Sequence, residues 1–364
     1  MTGGAAILVS RSPGERRVAL RAEDGRFRRY AVERPARPDG VGDLVRGRIG
    51  AHAPAMAGAF VLLPEEGFLP EGECEGRRLP PEGTLLALRV TRAAQGGKGK
   101  RVSARGVAEL PRGPLGVVEP GPDAALRFAA LAPDALVLAD DPAEAARLRA
   151  ALGRARIALV AAAFDDAAEA EAEALGTAHA PIPGGGRLLI HPLPALTAID
   201  ADGGTATGAR RRDALLALNE AAVREAARQI ALRELAGPIL LDLAGLPVRQ
   251  RAALEAPLRA ALADDPACQL LGLGPLGLWE LRRARIHAPL HEALAGPLPR
   301  GLALLRRAAR DAAADPSRRL CLSAPGAVLA ALRGLPGALE EYAARAGLAL
   351  LLAEGPEEIA HADR

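Results

Sequence analysis

Apolar and polar positions change period several times along the chain. "AAILVSRSPGERRVALRAEDGRFRRYAVERP" sets short apolar runs between the turn-forming stretches "SPGE" and "EDGR", which predicts three strands. The Pro/Gly-rich "RPARPDGVGD" breaks the pattern. "LVRGRIGAHAP", "GAFVLLP", "EGFLPEGE" and "TLLALRVTRAA" follow at close spacing and predict a small β-barrel, ended by "QGGKGKRVSAR". Residues 106–122 are rich in Pro and Gly and read as a connector.

From Asp123 to about Ala178 the period alternates between strand and helix: "DALVLAD", "PAEAARLRAALG", "RIALVAAA", "DDAAEAEAEAL". "LLIHPLPALTAID" reads as a β-pair and "RRDALLALNEAAVREAARQIALREL" as an amphipathic helix. "GPILLDLAG" is a buried-type strand and "PVRQRAALEAPLRAALADDP" a helix, the order of an α/β layer. "GPLPRG" at 296–301 marks a boundary, and the tail reads helix, strand, helix, helix, strand. No internal repeat is visible.

Composition adds little to this picture. Hydrophobic residues make up 49% and charged residues 25%, ordinary for a globular chain. No apolar stretch is long enough for a bilayer, and the opening stretch has no basic region followed by a long apolar one, so neither a membrane span nor a secretory signal is expected. Cys74, Cys268 and Cys321 are scattered and form no CxxC pair, so neither disulfides nor cysteine zinc sites are indicated, and a cytoplasmic location is expected. Charge is more telling in its distribution. Residues 1–105 carry +7 and the rest −4, within a net +3, which makes the N-terminal part a candidate nucleic-acid binder.

Candidate chemistry sits in "LTAIDADGGTATG", where an apolar run stops at Asp200 and a second acid follows at Asp202. "GPILLDLAG" ends the same way at Asp242. Ligands of α/β sheets bind beyond the carboxyl ends of strands, so neighbouring strands here bring these carboxylates together. One or two carboxylates with phosphate oxygens and waters are a Mg²⁺ environment, suited to phosphodiester hydrolysis. Ordinary polar residues at strand ends account for the pattern equally simply, and both readings stay open at this point.

"ALTAIDADGG", "EAARQIALRELAGPILLDL", "PVRQRAALEAPLRAAL" and "GLWELRRAR" together resemble the catalytic core of the ribonuclease E/G family. There the first stretch reads AIDIN or VDVN, followed by IARQLRLR and GGIIIIDF. "ILVSRSPGERRVAL", "GRIGAHAPAMAGAFVLLPEEGFLP" and "GGKGKR" are similar to the family's first strands and S1 domain. The resemblance implies a multi-domain α+β and α/β protein. An RNase H-like part occupies 1–35 and, after a linker, 106–185. An S1 (OB-type) barrel at 36–105 is inserted in it. A DNase I-like catalytic layer spans 186–296, and a small α/β C-terminal domain 297–364.

The implied function is a Mg²⁺-dependent endoribonuclease cutting single-stranded RNA to 5′-phosphate and 3′-hydroxyl ends, in ribosomal or messenger RNA processing or decay. Asp200 and Asp242 are then the magnesium ligands, and Asp202 replaces an asparagine that orients water or phosphate. Phe60 and Phe68 match positions that stack on RNA; read from the residues alone, either is as easily barrel core. Lys98 matches an RNA-contacting lysine, with Lys100 beside it. Arg249, Arg251, Arg283 and Arg285 flank the acids and are candidate backbone contacts. Asn219, Arg228 and Gln229 lie on the long helix, as readily structural as catalytic. His287 and His291 read as surface residues.

The departures also carry expectations. "DLAGL" lacks the acid that follows in the family's DFIDM, and the CPxC zinc link is absent at "HEALAGPLPRG". No zinc is expected, so any homodimer is expected to form without zinc bridging. Residues 106–125 are too short for the 5′-monophosphate sensor, so no preference for 5′-monophosphorylated RNA by that route is expected. The alternative function is an RNA-binding relative that has lost catalysis.

Overall fold

The computed structural model describes residues 4–111, 113–203, 211–243 and 245–361; the stretch 204–210 that follows the first acids, and Ala244 of "DLAGL", lie outside them. The chain divides into two compact units, Met1–Arg37 with Phe128–Ala284 and Pro289–Arg364, and Pro38–Arg127 with Arg285–Ala288.

In the larger unit β1 (Ala6–Ser12), β2 (Glu15–Arg21) and β3 (Phe27–Glu33) form an antiparallel meander. The turn between β1 and β2 holds Gly14 at φ 74°, and a Cβ there would lie 2.8 Å from that of Ala338, so only glycine fits.

The smaller unit follows in sequence. It comprises β4 (Leu44–Ala53), β5 (Gly58–Leu62), β6 (Gly67–Pro70), β7 (Leu85–Arg92), β8 (Lys100–Ser103) and β9 (Gly116–Glu119). β4 pairs with both β5 and β7, which closes the ring β4-β5-β6-β8-β7 into a five-stranded barrel. Val45, Ile49, Ala59, Val61, Leu69, Leu88, Val90 and Val102 fill it. This is the small barrel expected from the strand spacing, and its five closed strands fit the OB type that the resemblance implies. β9 corrects the connector reading of 106–122, because it adds to β4 as an edge strand. Its Val117 and Val118 are both exposed, so no alternation announces it.

The chain returns to the larger unit within α1 (Ala124–Leu131), and continues through β10 (Leu136–Ala139), α2 (Pro142–Leu152), β11 (Ile157–Leu159) and α3 (Asp166–Ala174). The sheet order is β11-β10-β1-β2-β3, with β10 parallel to β1 and β11 parallel to β10. Asp141 and Asp165 cap α2 and α3 by accepting from Glu144 and Ala168 backbone N–H groups at 2.9 and 2.8 Å.

Then come β12 (His179–Pro181), β13 (Arg187–Pro192), β14 (Thr197–Asp202), α4 (Arg211–Leu232), β15 (Gly237–Asp242), α5 (Val248–Arg251), α6 (Glu255–Ala261), β16 (Cys268–Leu273) and β17 (Trp279–Arg283). Their sheet runs β12-β13-β14-β15-β17-β16, and only β14–β15 is a parallel pair. Ile199, Ile239, Leu241, Trp279 and Leu281 on one sheet face share a core with Ala226 and Ile230 of α4 and Leu258 of α6. The opposite face carries Asp200, Asp202, Asp242, Glu280 and Arg282.

The C-terminal part comprises α7 (Leu290–Ala293), α8 (Pro297–Ala314), β18 (Leu320–Ala324), α9 (Gly326–Arg333), α10 (Ala338–Ala346), β19 (Leu351–Glu354) and β20 (Glu358–His361). "GPLPRG" opens α8, with Gly296 as its N-cap and Pro297 in the first turn, where proline's missing N–H costs nothing. No helix among the described residues is long and apolar enough to cross a membrane.

Candidate active site

β15 ends at Asp242, and β14 runs two residues past that point. Asp200 stands directly opposite Asp242 in the parallel register, after Ile199 and Leu241 have turned into the core. Neighbouring strands lie about 4.8 Å apart, so the two carboxylates leave the same face of the sheet side by side. Helix α4 is the crossover that makes the pair parallel. Asp202 is two residues further along β14 and therefore on the same face, beyond the last paired position.

The three acids are answered differently. Asp202 faces Arg187 on β13, whose Nη2 lies 3.1 Å away. Asp242 is held by Arg251, whose Nη1 donates to Oδ1 at 2.6 Å, while the Leu243 N–H donates to the same oxygen at 2.9 Å. Arg251 is itself tied to the carbonyls of Leu246 and Gly277 at 2.9 and 2.7 Å, so its guanidinium is fixed and mostly covered. Oδ2 of Asp242 has no hydrogen-bond or ion-pair partner among the described residues. Asp200 has no ion-pair partner among the described residues. Partial burial first, then the charges of Asp242 and Asp202, push its carboxyl above the usual range; His191 on β13 opposes this.

The donors that converge here are carboxylate oxygens, the chemistry of a hard cation. Among the described residues no group of three His, Cys, Asp or Glu side chains is close enough to hold an ion unaided. The chemistry of the pair Asp200–Asp242 is compatible with a Mg²⁺ ion that would take its other ligands from water and phosphate, and Asp202 beside them is paired with Arg187.

The other arginines separate. Arg249 is exposed on α5 with no ion-pair partner among the described residues. Arg283 is buried, with Nε 2.7 Å from Asp265 and Nη1 2.7 Å from Glu234, and has no surface to offer RNA. Arg285 belongs to the barrel's unit rather than to that of the acids. His287 is partly exposed and held on both ring nitrogens: its Nδ1 lies 2.6 Å from Asp39 Oδ2, and Arg127 bonds its Nε2. His291 is half-exposed at the start of α7.

The long helix does structural work. Glu225, almost fully buried, accepts from Arg228, Gln229 and Arg26 at 2.8, 2.8 and 2.6 Å. Arg228 also reaches Glu171 and the Phe27 carbonyl at 2.7 and 2.8 Å, and Gln229 accepts from Arg233 at 2.7 Å. The "ARQ" stretch therefore ties α4 to β3 and α3. Asn219 is wholly buried and donates to the Leu215 carbonyl at 2.8 Å.

In the barrel, Phe60 and Phe68 face each other across β5 and β6 with ring centroids 5.7 Å apart at 75°. Their neighbours Ala59, Val61 and Leu69 fill the core, so both rings lie on the outside. Gly58 makes room, since a Cβ there would meet Phe68 Cζ at 2.3 Å. Lys98 is exposed in the β7–β8 turn, whereas Lys100 is mostly covered and 3.4 Å from Glu65. Arg187 and His191, which the sequence did not single out, follow from the alternation of β13 once its pairing with β14 is known.

A family profile described as Ribonuclease E/G family matches residues 159–286. That range holds the acids and excludes the barrel. A Ribonuclease E of Nostoc sp. is 37% identical over 121 residues, 32% of this chain and 18% of the relative. That of Escherichia coli is 37% identical over 122 residues, 33% of this chain and 12% of the relative. A chloroplastic Ribonuclease E/G-like protein of Arabidopsis thaliana is 32% identical over 123 residues, 32% and 12% of the two chains. The match thus spans less than a fifth of these relatives.

Proposed function

We propose that the chain, whose residues 159–286 match the Ribonuclease E/G family, is an endoribonuclease cutting single-stranded RNA at the Asp200–Asp242 pair. The observation that carries the proposal is the in-register placement of these two carboxylates at the ends of adjacent parallel strands. The products are 5′-phosphate and 3′-hydroxyl ends, and the substrates are ribosomal precursor or messenger RNA. The first sheet is read as RNase H-like, the barrel as an S1 domain and the acid-bearing layer as DNase I-like.

Asp200 and Asp242 are the residues that would hold Mg²⁺. When bound, the ion supplies Lewis-acid charge for phosphate and water. The protein's own part is positional. Arg251 and the Leu243 N–H fix one oxygen of Asp242 and aim the other outward. The raised Asp200 carboxyl is relieved by any cation placed between the two acids. Exposed Arg249 and Lys98 supply charge for phosphate, and Phe60 and Phe68 supply faces for bases. Arg283 has no part in RNA contact, because its guanidinium is buried and occupied.

The departures at "AIDAD" and "DLAGL" favour a second reading, an RNA-binding protein without catalysis. One experiment separates them. A fluorescent single-stranded A/U-rich RNA is incubated with the protein in Mg²⁺ and in EDTA, with 5′-monophosphate and 5′-hydroxyl ends. Internal cleavage of both RNAs in Mg²⁺ alone, lost by at least a hundred-fold in Asp200→Ala and in Asp242→Ala, is the expected result. Cleavage that survives either substitution refutes the site. Binding without cleavage selects the second reading.

A further inference from the structure

Four side chains on the barrel fall in one register row. Phe60 of β5 stands opposite Phe68 of β6, Phe68 opposite Arg101 of β8, and Arg101 opposite Arg92 of β7. Val102 is in the core, so Arg101 points outward like the rings.

Arg92 reaches this face only through an irregularity. Leu88 and Val90 of β7 are core residues, and strict alternation sends Arg92 the same way. The pairing instead steps from Val90↔Val102 to Arg92↔Arg101, leaving Thr91 as the extra residue of a β-bulge. A bulge re-aims the side chain that follows it. Thr91 Oγ1 donates to the Arg101 carbonyl at 3.3 Å across the bulge.

The result is electrostatically unfavourable on its own. Like charges directly opposite in a sheet repel. Neither arginine has a carboxylate partner among the described residues, and Arg92 Nε is buried without a hydrogen-bond acceptor. Burial first, then the charges of Arg101 and Arg285, push the Arg92 guanidinium down. A strand that needed only stability gains nothing from a bulge that joins two cations. An anion beside the aromatic pair makes sense of both the bulge and the charges.

We infer that Arg92 and Arg101 form a phosphate-binding pair that extends Phe60 and Phe68 into one track for a single RNA strand, laid across β5, β6, β8 and β7. The inference rests on the RNA reading of the barrel given above. Strand spacing makes the row about 14 Å long. The rings stack bases, which any sequence provides, and the arginines take the backbone between them.

The test uses the full chain carrying Asp200→Asn, so that RNA is not consumed. Binding of a fluorescent single-stranded A/U-rich RNA is followed by anisotropy over a range of salt. Arg92→Gln/Arg101→Gln weakens binding about ten-fold or more at low salt. It also flattens the log–log salt slope by about 1.4, since each lost phosphate contact on a single strand removes about 0.7. Phe60→Leu/Phe68→Leu weakens binding and keeps the slope. Arg92→Lys/Arg101→Lys keeps the slope as well. Unchanged affinity and slope in the Gln variant overturn the inference. Arginine-dependent binding by a protein whose Asp200 form never cleaves overturns the nuclease reading and leaves the track standing. Should the double Gln variant lose its barrel by circular dichroism, Arg101→Gln alone reads half of the slope change.

Discussion

Asp200 is kept where its charge is unwelcome. Its carboxyl is raised by partial burial and by Asp242 and Asp202, so the ionised form disfavours the folded state. That penalty exists above the unfolded pKa of about 3.9 and vanishes below it, where the group is protonated in both states. Asp200→Asn therefore melts higher than the parent at pH 7, and the two converge as the pH falls below about 4. Thermal melts by circular dichroism in metal-free buffer at several pH values check this; equal melting temperatures at pH 7 refute the crowding of charge. Asp200 and Asp242 were legible in the sequence, because an apolar run that ends in an acid is unusual. The roles of the arginines were not. Arg251 orients Asp242, Arg283 is buried in a carboxylate pair, and Arg249 is exposed. Three arginines near one motif look alike until the backbone aims them.

At the scale of elements, the acid pair depends on β15 being clamped between β14 and β17. Leu241, the residue before Asp242, pairs with Trp279, and both are fully buried. Trp279→Ala leaves a cavity in that sheet and costs about 3–5 kcal/mol, typical of a large aromatic truncated in a core. Urea unfolding followed by circular dichroism measures the loss, and a cost under about 1 kcal/mol shows that the clamp is unimportant. Strands with clear alternation or a continuous apolar run, such as β1 to β3, β14 and β15, were readable. β9, α1 and the β16–β17 hairpin were not. β9 is a four-residue edge whose order comes from β4, and a partner distant in sequence leaves no local period.

Across the larger unit, a buried ionic network joins α4 to β3 and α3. Burial alone raises the Glu225 carboxyl, but Arg228, with Gln229 and Arg26, more than reverses this and holds it below the usual range. A depressed carboxyl contributes stability above its unfolded pKa, about 4.3, and loses it as the pH falls through the folded value. Glu225→Gln leaves Arg228 and Arg26 short of a partner and costs about 3–5 kcal/mol at neutral pH. The gap to the parent narrows as the pH falls from the unfolded value of about 4.3 towards the lower folded one. Denaturant unfolding at pH 7 and at pH 3.5 measures both values, and a constant difference refutes the network's part in acid sensitivity. The "ARQ" stretch thus maintains the layer that carries the acids without touching them.

Local pattern determined the barrel strands, the alternation of strand and helix, the long amphipathic α4 and the two terminal aspartates. These depend on the period of apolar residues and on turn chemistry, which neighbouring residues already carry. Tertiary structure decided what lies between distant residues. The β14–β15 register brings Asp200 beside Asp242, Arg251 turns to Asp242 rather than to solvent, and the Thr91 bulge moves Arg92 onto the face of Phe68. Each of these is a choice of partner, and a chain settles its partners only when it closes on itself.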